Sequence, residues 1–286
     1  MTGPLTGKPK SATFRTADVV GIDTLVKVAN NIYKDCPLDE AREIFTIPEY
    51  VNKLVANNLL GDKTGQGFYK KSRDSEGKKT ILEVDVRTLE YKPSGKPNFP
   101  SVAAAKPVDN LKDRLKLFHS AQDKAGEFLR TLSFNIFNYS SNRIPEVAEE
   151  LYKIDDAMRD GFGWELGPFE TWDALGVQKT LEQMEKAQLK PAKWVKEMLE
   201  KGCSSFYKVE NGKRKYYDIG SHSYKEIPGK NEFIILEHYR SNTPVWKNSG
   251  ATLHDIGDGI VNLEFQTKMN SIGTEILEAI NKSIDI

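Results

Sequence analysis

Apolar residues recur along most of the chain at the three- and four-residue spacing of amphipathic helices. In the stretch DTLVKVANNIY they form one stripe, made up of Leu25, Val28, Ala29, Ile32 and Tyr33. In IPEYVNKLVANNLLG, Pro48 suits a first helical turn and Gly61 suits the C-terminal stop. The face that this second helix is predicted to bury consists of Tyr50, Val51, Leu54 and Val55. The next stretch, KTGQGFYKK, lacks helical periodicity, and Gly77 separates two short strand-like segments. This pattern predicts a small hairpin.

The same series of elements recurs in the second half of the chain. VQKTLEQM predicts a helix, and KPAKWVKEMLEKG predicts another, with Pro191 near its start and Gly202 at its end. The apolar face of that helix consists of Trp194, Val195, Met198 and Leu199. The triplet FYK follows in both halves, at Phe68 and at Phe206. Because these features keep the same order, they predict two copies of one mostly helical unit, each closed by a small β-hairpin.

One phrase is nearly the same in both halves, FRTADVVGI at 14–22 and FETWDALGV at 169–177. Its repeated positions are Phe14, Thr16, Asp18 and Gly21, and Phe169, Thr171, Asp173 and Gly176. Asp18 and Asp173 have two interpretations, a general base or a polar clamp that satisfies backbone donors at a helix end. Each lies between apolar residues shortly before a glycine that breaks the helix, which favours the clamp.

The repeat predicts the domain organisation. A long helical region lies before the second phrase, with Phe128, Leu132, Ile136 and Phe137 at helical spacing, whereas only thirteen residues precede the first. We therefore expect an N-terminally truncated domain at 1–91 and a complete one at 108–230. Residues 92–107 are rich in Pro, Ser and Ala, which predicts a linker. In the tail, 250–286, two short strands around a turn at 257–259 and the helix TEILEAINKSIDI predict the start of a third domain that is cut short.

Composition excludes several classes of function. The chain has 41 basic and 41 acidic residues, so it lacks the overall positive charge that is typical of nucleic-acid-binding proteins. A local basic patch is compatible with that balance. The two cysteines, Cys36 and Cys203, form no CxxC pair, which favours a reducing, cytoplasmic setting. No apolar run approaches the length of a membrane helix. Trp164, Trp172 and Trp194 are predicted to pack between helices.

Few side chains have the spacing of a catalytic or metal site. The histidines, His119, His222, His238 and His254, show no paired ligand spacing, so we expect structural or solvated roles and no metal. No GxSxG or Cys–His pattern suggests covalent catalysis. Two glycine-rich stretches, GQGFYK from Gly65 and GFGWELG from Gly161, follow helices and lack the spacing of a dinucleotide-binding loop. Neither is expected to bind NAD.

Three stretches carry a family resemblance: GKPKSATFRTADVVGIDT, LLGDKTGQGFYKK and DDAMRDGFGWELGPFETWDALGV. They resemble the C-terminal helical domain of 3-hydroxyacyl-CoA dehydrogenases, present twice over residues 1–230, as in multifunctional fatty-acid β-oxidation enzymes. The tail HDIGDGIVNLEFQTKMNSIGTEILEAINKSID resembles the start of an enoyl-CoA hydratase (crotonase-like) domain. The resemblance implies a mainly α fold with two copies of a 6-phosphogluconate-dehydrogenase-C-terminal-like helical domain, followed by a short hairpin and a helix.

The resemblance also implies a function. In the intact enzyme, a Rossmann domain would bind NAD and carry the catalytic residues for oxidation of (S)-3-hydroxyacyl-CoA, so no catalytic residue is expected in this chain. Its partners would be the acyl-CoA substrate and the missing Rossmann and crotonase domains, without nucleic acid or membrane insertion. Asn142 falls where the family has an assisting Asn, but no nucleotide domain would face it, and no role is transferred. Lys10 and Phe14 are the candidates for substrate contact, Lys10 because lysines hold the phosphates of CoA.

A second hypothesis belongs to a different class of protein. The chain would be a freestanding helical module that binds acyl-CoA, or acts as a scaffold, without catalysis. This hypothesis predicts that Met1 is a true start and Ile286 a true stop, so the two hypotheses differ in what the gene encodes on either side.

Overall fold

The computed structural model describes residues 1–74, 76–95, 97–210, 212–229, 234–240 and 242–286. The helices are α1 (Ala12–Val20), α2 (Ile22–Asp35), α3 (Glu49–Ala56), α4 (Pro100–Ala105), α5 (Leu111–Ser120), α6 (Lys124–Asn142), α7 (Leu151–Phe162), α8 (Pro168–Leu175), α9 (Val177–Lys186), α10 (Lys193–Glu200) and α11 (Thr274–Asp285). The strands are β1 (Tyr69–Arg73), β2 (Lys79–Val84), β3 (Tyr91–Pro93), β4 (Tyr207–Glu210), β5 (Lys213–Asp218), β6 (Ser223–Glu226), β7 (Trp246–Lys247), β8 (Ala251–Gly257) and β9 (Ile260–Phe265). The predicted mainly α fold is confirmed, and none of the described helices is long and apolar enough to cross a membrane.

The chain divides into two compact units. The first comprises Met1–Glu149 and Lys153–Val195, and the second comprises Glu150–Tyr152 and Lys196–Ile286. The predicted linker, 92–107, lies inside the first unit, and the predicted boundary at residue 230 falls outside the described residues. We therefore describe the two units separately.

Part of the predicted linker is a packed helix. Pro100 occupies the first turn of α4, where its missing amide hydrogen costs nothing, and a run of alanines follows. Ala105 is fully buried in a cluster with Phe118 and Leu129. The Asp123 carboxylate accepts hydrogen bonds from the Ser101 amide (3.0 Å) and hydroxyl (2.8 Å). This packing explains why α4 forms, although the composition of the surrounding segment is typical of a linker.

The repeated phrase forms a sharp corner between two helices in each half. Gly21 separates α1 from α2 with φ 104° and ψ 124°, and Gly176 separates α8 from α9 with φ 90° and ψ 111°. Glycine adopts positive φ without the steric cost that a Cβ atom brings. Each phrase therefore ends one helix and begins the next.

The core beside α1 and α2 corrects one predicted stripe. Its buried residues are Ile22, Val51, Leu54, Leu59, Phe68 and Val84. In α2, Ala29 is also buried, but Leu25 is 42% exposed and Val28 is 51% exposed. The predicted burial of the α2 stripe is therefore wrong at Leu25 and Val28, because the core packs on α2 from the side of Ile22. The predicted face of α3 is confirmed at Val51 and Leu54.

The end of α3 also differs from prediction. The helix ends at Ala56, and Asn58, with φ 57°, reverses the chain so that the Leu59 amide donates to the Leu54 carbonyl at 2.9 Å. Asparagine is one of the residues that tolerate this left-handed conformation. The predicted stop at Gly61 is therefore wrong. At α10 the prediction is confirmed, because Gly202 has φ 82° and its amide donates to the Leu199 carbonyl.

Within the described residues, the strands form three antiparallel sheets of three strands each, in the orders β1-β2-β3, β4-β5-β6 and β7-β8-β9. The predicted hairpins are confirmed, and each gains one strand that the sequence pattern did not indicate. In the second unit, β8 and β9 pair around the predicted turn. The predicted terminal helix, α11, buries Ile276 and Ala279 against Ala251 of β8.

Candidate functional site

A cleft of about 780 Å³ lies in the first unit between the start of α1 and one face of the sheet β1-β2-β3. We call it the α1 cleft. Its cations are Lys10, Arg15 and Lys71, and its loop wall carries Asp62 and Gly65. Cavities of several hundred Å³ are typical of sites for small molecules. The α1 cleft is therefore the candidate binding site of this unit.

The acid in the wall of the α1 cleft is already paired. Arg15 donates from both terminal nitrogens to the two carboxylate oxygens of Asp62, each at 2.6 Å. This hydrogen-bonded pair raises the pKa of Arg15 and lowers the pKa of Asp62. No described carboxylate pairs with Lys10 or Lys71 within salt-bridge distance. The wall therefore presents a net positive charge to a ligand.

The alternation of a β-strand brings two further groups to this wall. Tyr69 and Lys71 are two residues apart in β1 and so lie on the same face of the sheet. Ile81 of β2 is the strand partner of Lys71, and Glu83 is the partner of Tyr69. Burial, followed by the charge of Glu83, raises the pKa of the Tyr69 hydroxyl. That hydroxyl stays protonated at neutral pH and can donate a hydrogen bond.

The carboxylate of Asp18 fixes the two walls of the α1 cleft to each other. It lies in α1, is 1% exposed, and accepts hydrogen bonds from the amides of Phe68 (2.7 Å) and Tyr69 (2.9 Å). Burial raises the pKa of Asp18, and the two amides oppose that rise. The clamp predicted from the sequence is thus present, but it satisfies donors at the entry to β1 and not at a helix end.

A second buried carboxylate holds the corner between α7 and α8. Asp155 is fully buried and accepts hydrogen bonds from the amides of Phe169 (2.9 Å) and Glu170 (3.0 Å). Glu170 accepts from the Gly167 amide at 2.7 Å and pairs with Arg159. Together these bonds satisfy the amides at the start of α8, which have no backbone acceptor within the helix.

Of the four histidines in the sequence, His119 alone lies in the first unit, and its pKa is strongly lowered. Its Nε2 lies 3.1 Å from the Ser133 hydroxyl, and its ring packs near Phe134. Burial, assisted by the charges of Arg130 and Lys179, lowers the pKa of His119 to about 4. A cavity of about 30 Å³ beside it has room for about one water. This cavity is too small for a substrate, and the ring of His119 contacts neighbouring side chains of the first unit.

The perturbed His119 predicts a specific pH dependence. Between the ordinary value of 6.5 and the folded pKa of about 4, the unfolded chain binds more protons than the folded chain. The free energy of unfolding therefore falls as the pH falls through this window, by a total of about 3 kcal/mol for a shift of this size. Urea titrations across this pH window should show that the free energy of unfolding falls less in His119→Gln than in the natural chain. Equal falls in both proteins would mean that His119 does not have this lowered pKa.

The two predicted substrate contacts lie in different surroundings. Lys10 lines the α1 cleft, together with Lys71 and Tyr69. Phe14 does not line it; its ring packs 4.8 Å from the Phe68 ring and is 47% exposed. The sequence analysis did not predict Tyr69 and Lys71 as site residues. The strand alternation in FYKK could have indicated that the two side chains lie on one face of the sheet.

The other repeated positions of the phrase do not line the α1 cleft. Phe169 and Trp172 are fully buried, and Thr16 donates to the Ser11 hydroxyl at 2.8 Å. Thr171 lines the small cavity beside His119, and Asp173 lies half-buried in α8.

Asn142 also has a local role, because its side-chain amide donates to the carbonyls of Asn138 (2.9 Å) and Lys190 (3.1 Å). Trp194 is buried, and its indole nitrogen donates to the Ser141 carbonyl. Trp164 is half-buried under the Lys8 ammonium, which lies 4.3 Å from the ring centre. Cys36 and Cys203 are free thiols, and the described residues contain no group of three or more His, Cys, Asp or Glu placed to hold a metal.

Comparison with known proteins identifies relatives of this chain. A family model described as 3-hydroxyacyl-CoA dehydrogenase, C-terminal domain, matches residues 5–71 and 128–216, more than half of the chain. The chain is 43% identical over all 286 residues to a probable 3-hydroxyacyl-CoA dehydrogenase of Bacillus subtilis (strain 168), of which it covers 35%. It is 46% identical over 78 residues, 27% of the chain, to a probable 3-hydroxyacyl-CoA dehydrogenase of Deinococcus radiodurans, of which the match covers 22%.

A more distant relative comes from Rickettsia prowazekii (strain Madrid E) and carries the name of a fatty acid oxidation complex trifunctional enzyme. It is 28% identical over 165 residues, which cover 57% of the chain and 21% of that protein. The chain thus spans about a third of the length of its B. subtilis relative, and the other two matches cover about a fifth of those proteins.

Proposed function

Because the chain belongs to the family of 3-hydroxyacyl-CoA dehydrogenase C-terminal domains, we propose that it is part of an NAD-dependent enzyme that oxidises (S)-3-hydroxyacyl-CoA to 3-oxoacyl-CoA in fatty-acid β-oxidation. The observation that carries this proposal is the alignment of the whole chain with one segment of a longer dehydrogenase relative. The chain would supply a wall of the acyl-CoA site, with Lys10 and Phe14 in contact with the substrate. NAD and the catalytic residues would belong to a Rossmann domain elsewhere in the polypeptide.

The proposed organisation is a truncated first copy of the domain at 1–91, a linker at 92–107 and a complete second copy at 108–230. Matching local geometry supports it. Gly21 and Gly176 have similar backbone angles, and Asn58 and Gly202 reverse the chain after α3 and α10. The Val84 amide donates to the Phe68 carbonyl at 3.0 Å, and the Tyr217 amide donates to the Phe206 carbonyl at 2.8 Å.

The second copy would replace the partner subunit against which the first copy would otherwise pack. Two polar contacts within the first unit support this role. The Tyr139 hydroxyl of α6 donates to Asp39 at 2.7 Å, and Arg143 pairs with Glu40 at 2.6 Å. The tail at 250–286 would begin an enoyl-CoA hydratase domain, which the name of the Rickettsia relative favours.

Two measurements test the proposed function. The gene upstream of the segment should encode a strand, a GxGxxG loop and a helix. The polypeptide that includes this flanking sequence should reduce NAD when supplied with (S)-3-hydroxyacyl-CoA, whereas the 286-residue chain should not. Stop codons directly on both sides, together with acyl-CoA binding by the chain, would instead identify a freestanding non-catalytic binding module.

A further inference from the structure

We propose that a pocket between α5 and α9 binds a small tetrahedral oxyanion with the size and charge of sulfate or of a phosphoryl group. We call this cavity of about 50 Å³ the α5–α9 pocket; it lies in the first unit and shares no lining residue with the α1 cleft. The polar residues that line it are Lys116, His119, Ser120, Lys179, Thr180 and Gln183. The inference rests on these residues and does not depend on the proposed function.

The α5–α9 pocket is lined by two lysines and by no acid of the described chain. Lys116 reaches it from α5 and Lys179 from α9. No described carboxylate lies within salt-bridge distance of the Lys179 ammonium. Lysine is suited to sulfate and phosphate groups, because its ammonium is a mobile point charge with three donors. Two lysines from different helices therefore favour an anion between them.

Two acids on the same helices carry charges that count against an anion. The Asp113 carboxylate lies 3.4 Å from the Lys116 ammonium, and Glu182 of α9 accepts a hydrogen bond from the Gln178 side chain at 2.8 Å. Both acids are exposed and lie outside the lining of the pocket. Water and salt screen exposed charges more strongly than charges that are partly buried. An anion in the pocket is therefore in contact with the two lysines and not with either acid.

Two neutral donors of the lining have no other partner. Thr180 is 3% exposed, and neither its hydroxyl nor the side-chain amide of Gln183 makes a hydrogen bond within the described part of the chain. A hydroxyl on so buried a residue loses its hydrogen bonds to water, and a bound oxyanion would replace them. Ser120 differs, because its hydroxyl already donates to the Leu117 carbonyl at 2.9 Å. The donors available to the anion are therefore Lys116, Lys179, Thr180 and Gln183.

The size of the α5–α9 pocket limits the ligand to a small ion or a terminal group. One water needs roughly 10–15 Å³ of such a cavity. A cavity of about 50 Å³ thus has room for on the order of four waters, which is similar to the space that the four oxygens of a tetrahedral oxyanion occupy. A nucleotide or an acyl chain does not fit.

His119 lines the pocket and couples the binding of an anion to its own protonation. The charged groups around its ring are all cations, Lys8 from the segment before α1, Lys116 of α5, Arg130 of α6 and Lys179 of α9. Burial, followed by the charges of Arg130 and Lys179, lowers the pKa of His119 to about 4. An anion beside Lys179 opposes these charges and so raises the pKa of His119. By reciprocity, the anion binds more tightly when the pH falls toward that pKa.

Proton NMR of the histidine C2 protons in the 286-residue chain tests the proposal, because the chain has only four histidines and His119→Gln identifies the signal of His119. Sulfate is the probe, since it remains a dianion from pH 7 to pH 4, and sodium chloride at equal ionic strength is the reference. We expect sulfate to shift the His119 signal saturably, with a Kd on the order of 1 mM. Saturating sulfate should raise the pKa of His119 by at least about 0.5, and sulfate should bind about twofold more tightly at pH 4 than at pH 7.

The double variant Lys116→Gln/Lys179→Gln should bind sulfate at least about tenfold more weakly, because it loses two charge-assisted contacts. Lys186→Gln is the matched control, since Lys186 is also on α9 but lies outside the lining of the pocket. It should bind sulfate as the natural chain does, and circular dichroism should show that all variants are folded.

Inorganic phosphate and glycerol 3-phosphate distinguish the sources of the oxyanion. Binding of phosphate alone would identify a site for a free ion, and binding of both would identify a site for the phosphoryl group of a larger ligand. An equal response to sodium chloride would show that the ions only screen charge, and would overturn the inference. Unchanged sulfate binding in the double variant, or equal weakening in Lys186→Gln, would overturn it as well.

Discussion

Replacement of Asp155 by alanine is expected to lower the free energy of unfolding by about 3–5 kcal/mol, because hydrogen bonds to a buried charge contribute about 1.5–3 kcal/mol each. The variant removes the acceptor of the Phe169 and Glu170 amides, both of which are buried. A methyl group leaves those amides without an acceptor at the N-terminus of α8, where the helix itself supplies none. Urea unfolding followed by circular dichroism measures the loss.

The neighbouring Asp156 provides the matched control. It is on the same helix, pairs with Arg159, and has a side chain that is 31% exposed. Asp156→Ala should cost about 0–1 kcal/mol, as partly exposed ion pairs usually do. The loss of unfolding free energy in Asp155→Asn should lie between those of Asp155→Ala and Asp156→Ala, because the amide keeps one carbonyl oxygen as an acceptor. If Asp155→Ala and Asp156→Ala destabilised the chain equally, the buried hydrogen bonds would not be what holds this corner.

The helices could be predicted from the sequence because their signals are local. The apolar period of α3, α9 and α10 and the glycines at the two α-helical corners depend on residues within one or two turns. The periodicity of apolar residues shows where the apolar face of a helix lies, but not which part of that face is buried by other elements. Leu25 and Val28 illustrate this limit, since the core reaches α2 from the side of Ile22.

Features that depend on distant partners were not predicted. The helix α4 is ordered by Asp123, which lies outside the segment whose composition suggested a linker. Lys10 and Lys71 line the same α1 cleft although about sixty residues separate them in the sequence. They lie close together because Asp18 of α1 accepts a hydrogen bond from the Phe68 amide at the entry to β1. Lys10 could be nominated from its motif alone, whereas Lys71 required knowledge of which strand lies opposite.

Gly61→Ala is expected to destabilise the chain by at least about 3 kcal/mol, because a Cβ at this position overlaps fixed backbone atoms. An ideal Cβ on Gly61 would lie 2.6 Å from the Cα and 2.8 Å from the carbonyl carbon of Asp18. Neither atom can rotate away as a side chain could. The loop is also tied to α2, since the Ile22 amide donates to the Leu60 carbonyl at 3.1 Å. Thermal and urea unfolding measure the effect.

Gly65→Ala separates this overlap from backbone strain. Gly61 has φ 99° and Gly65 has φ 75°, so alanine is strained at both positions, but a Cβ on Gly65 meets no atom within 4 Å. Gly65→Ala should therefore cost only about 1–2 kcal/mol, the penalty of the left-handed conformation. Equal losses of stability would mean that the loop withdraws from α1 freely, and the Asp18 clamp would then not be the element that positions the cleft.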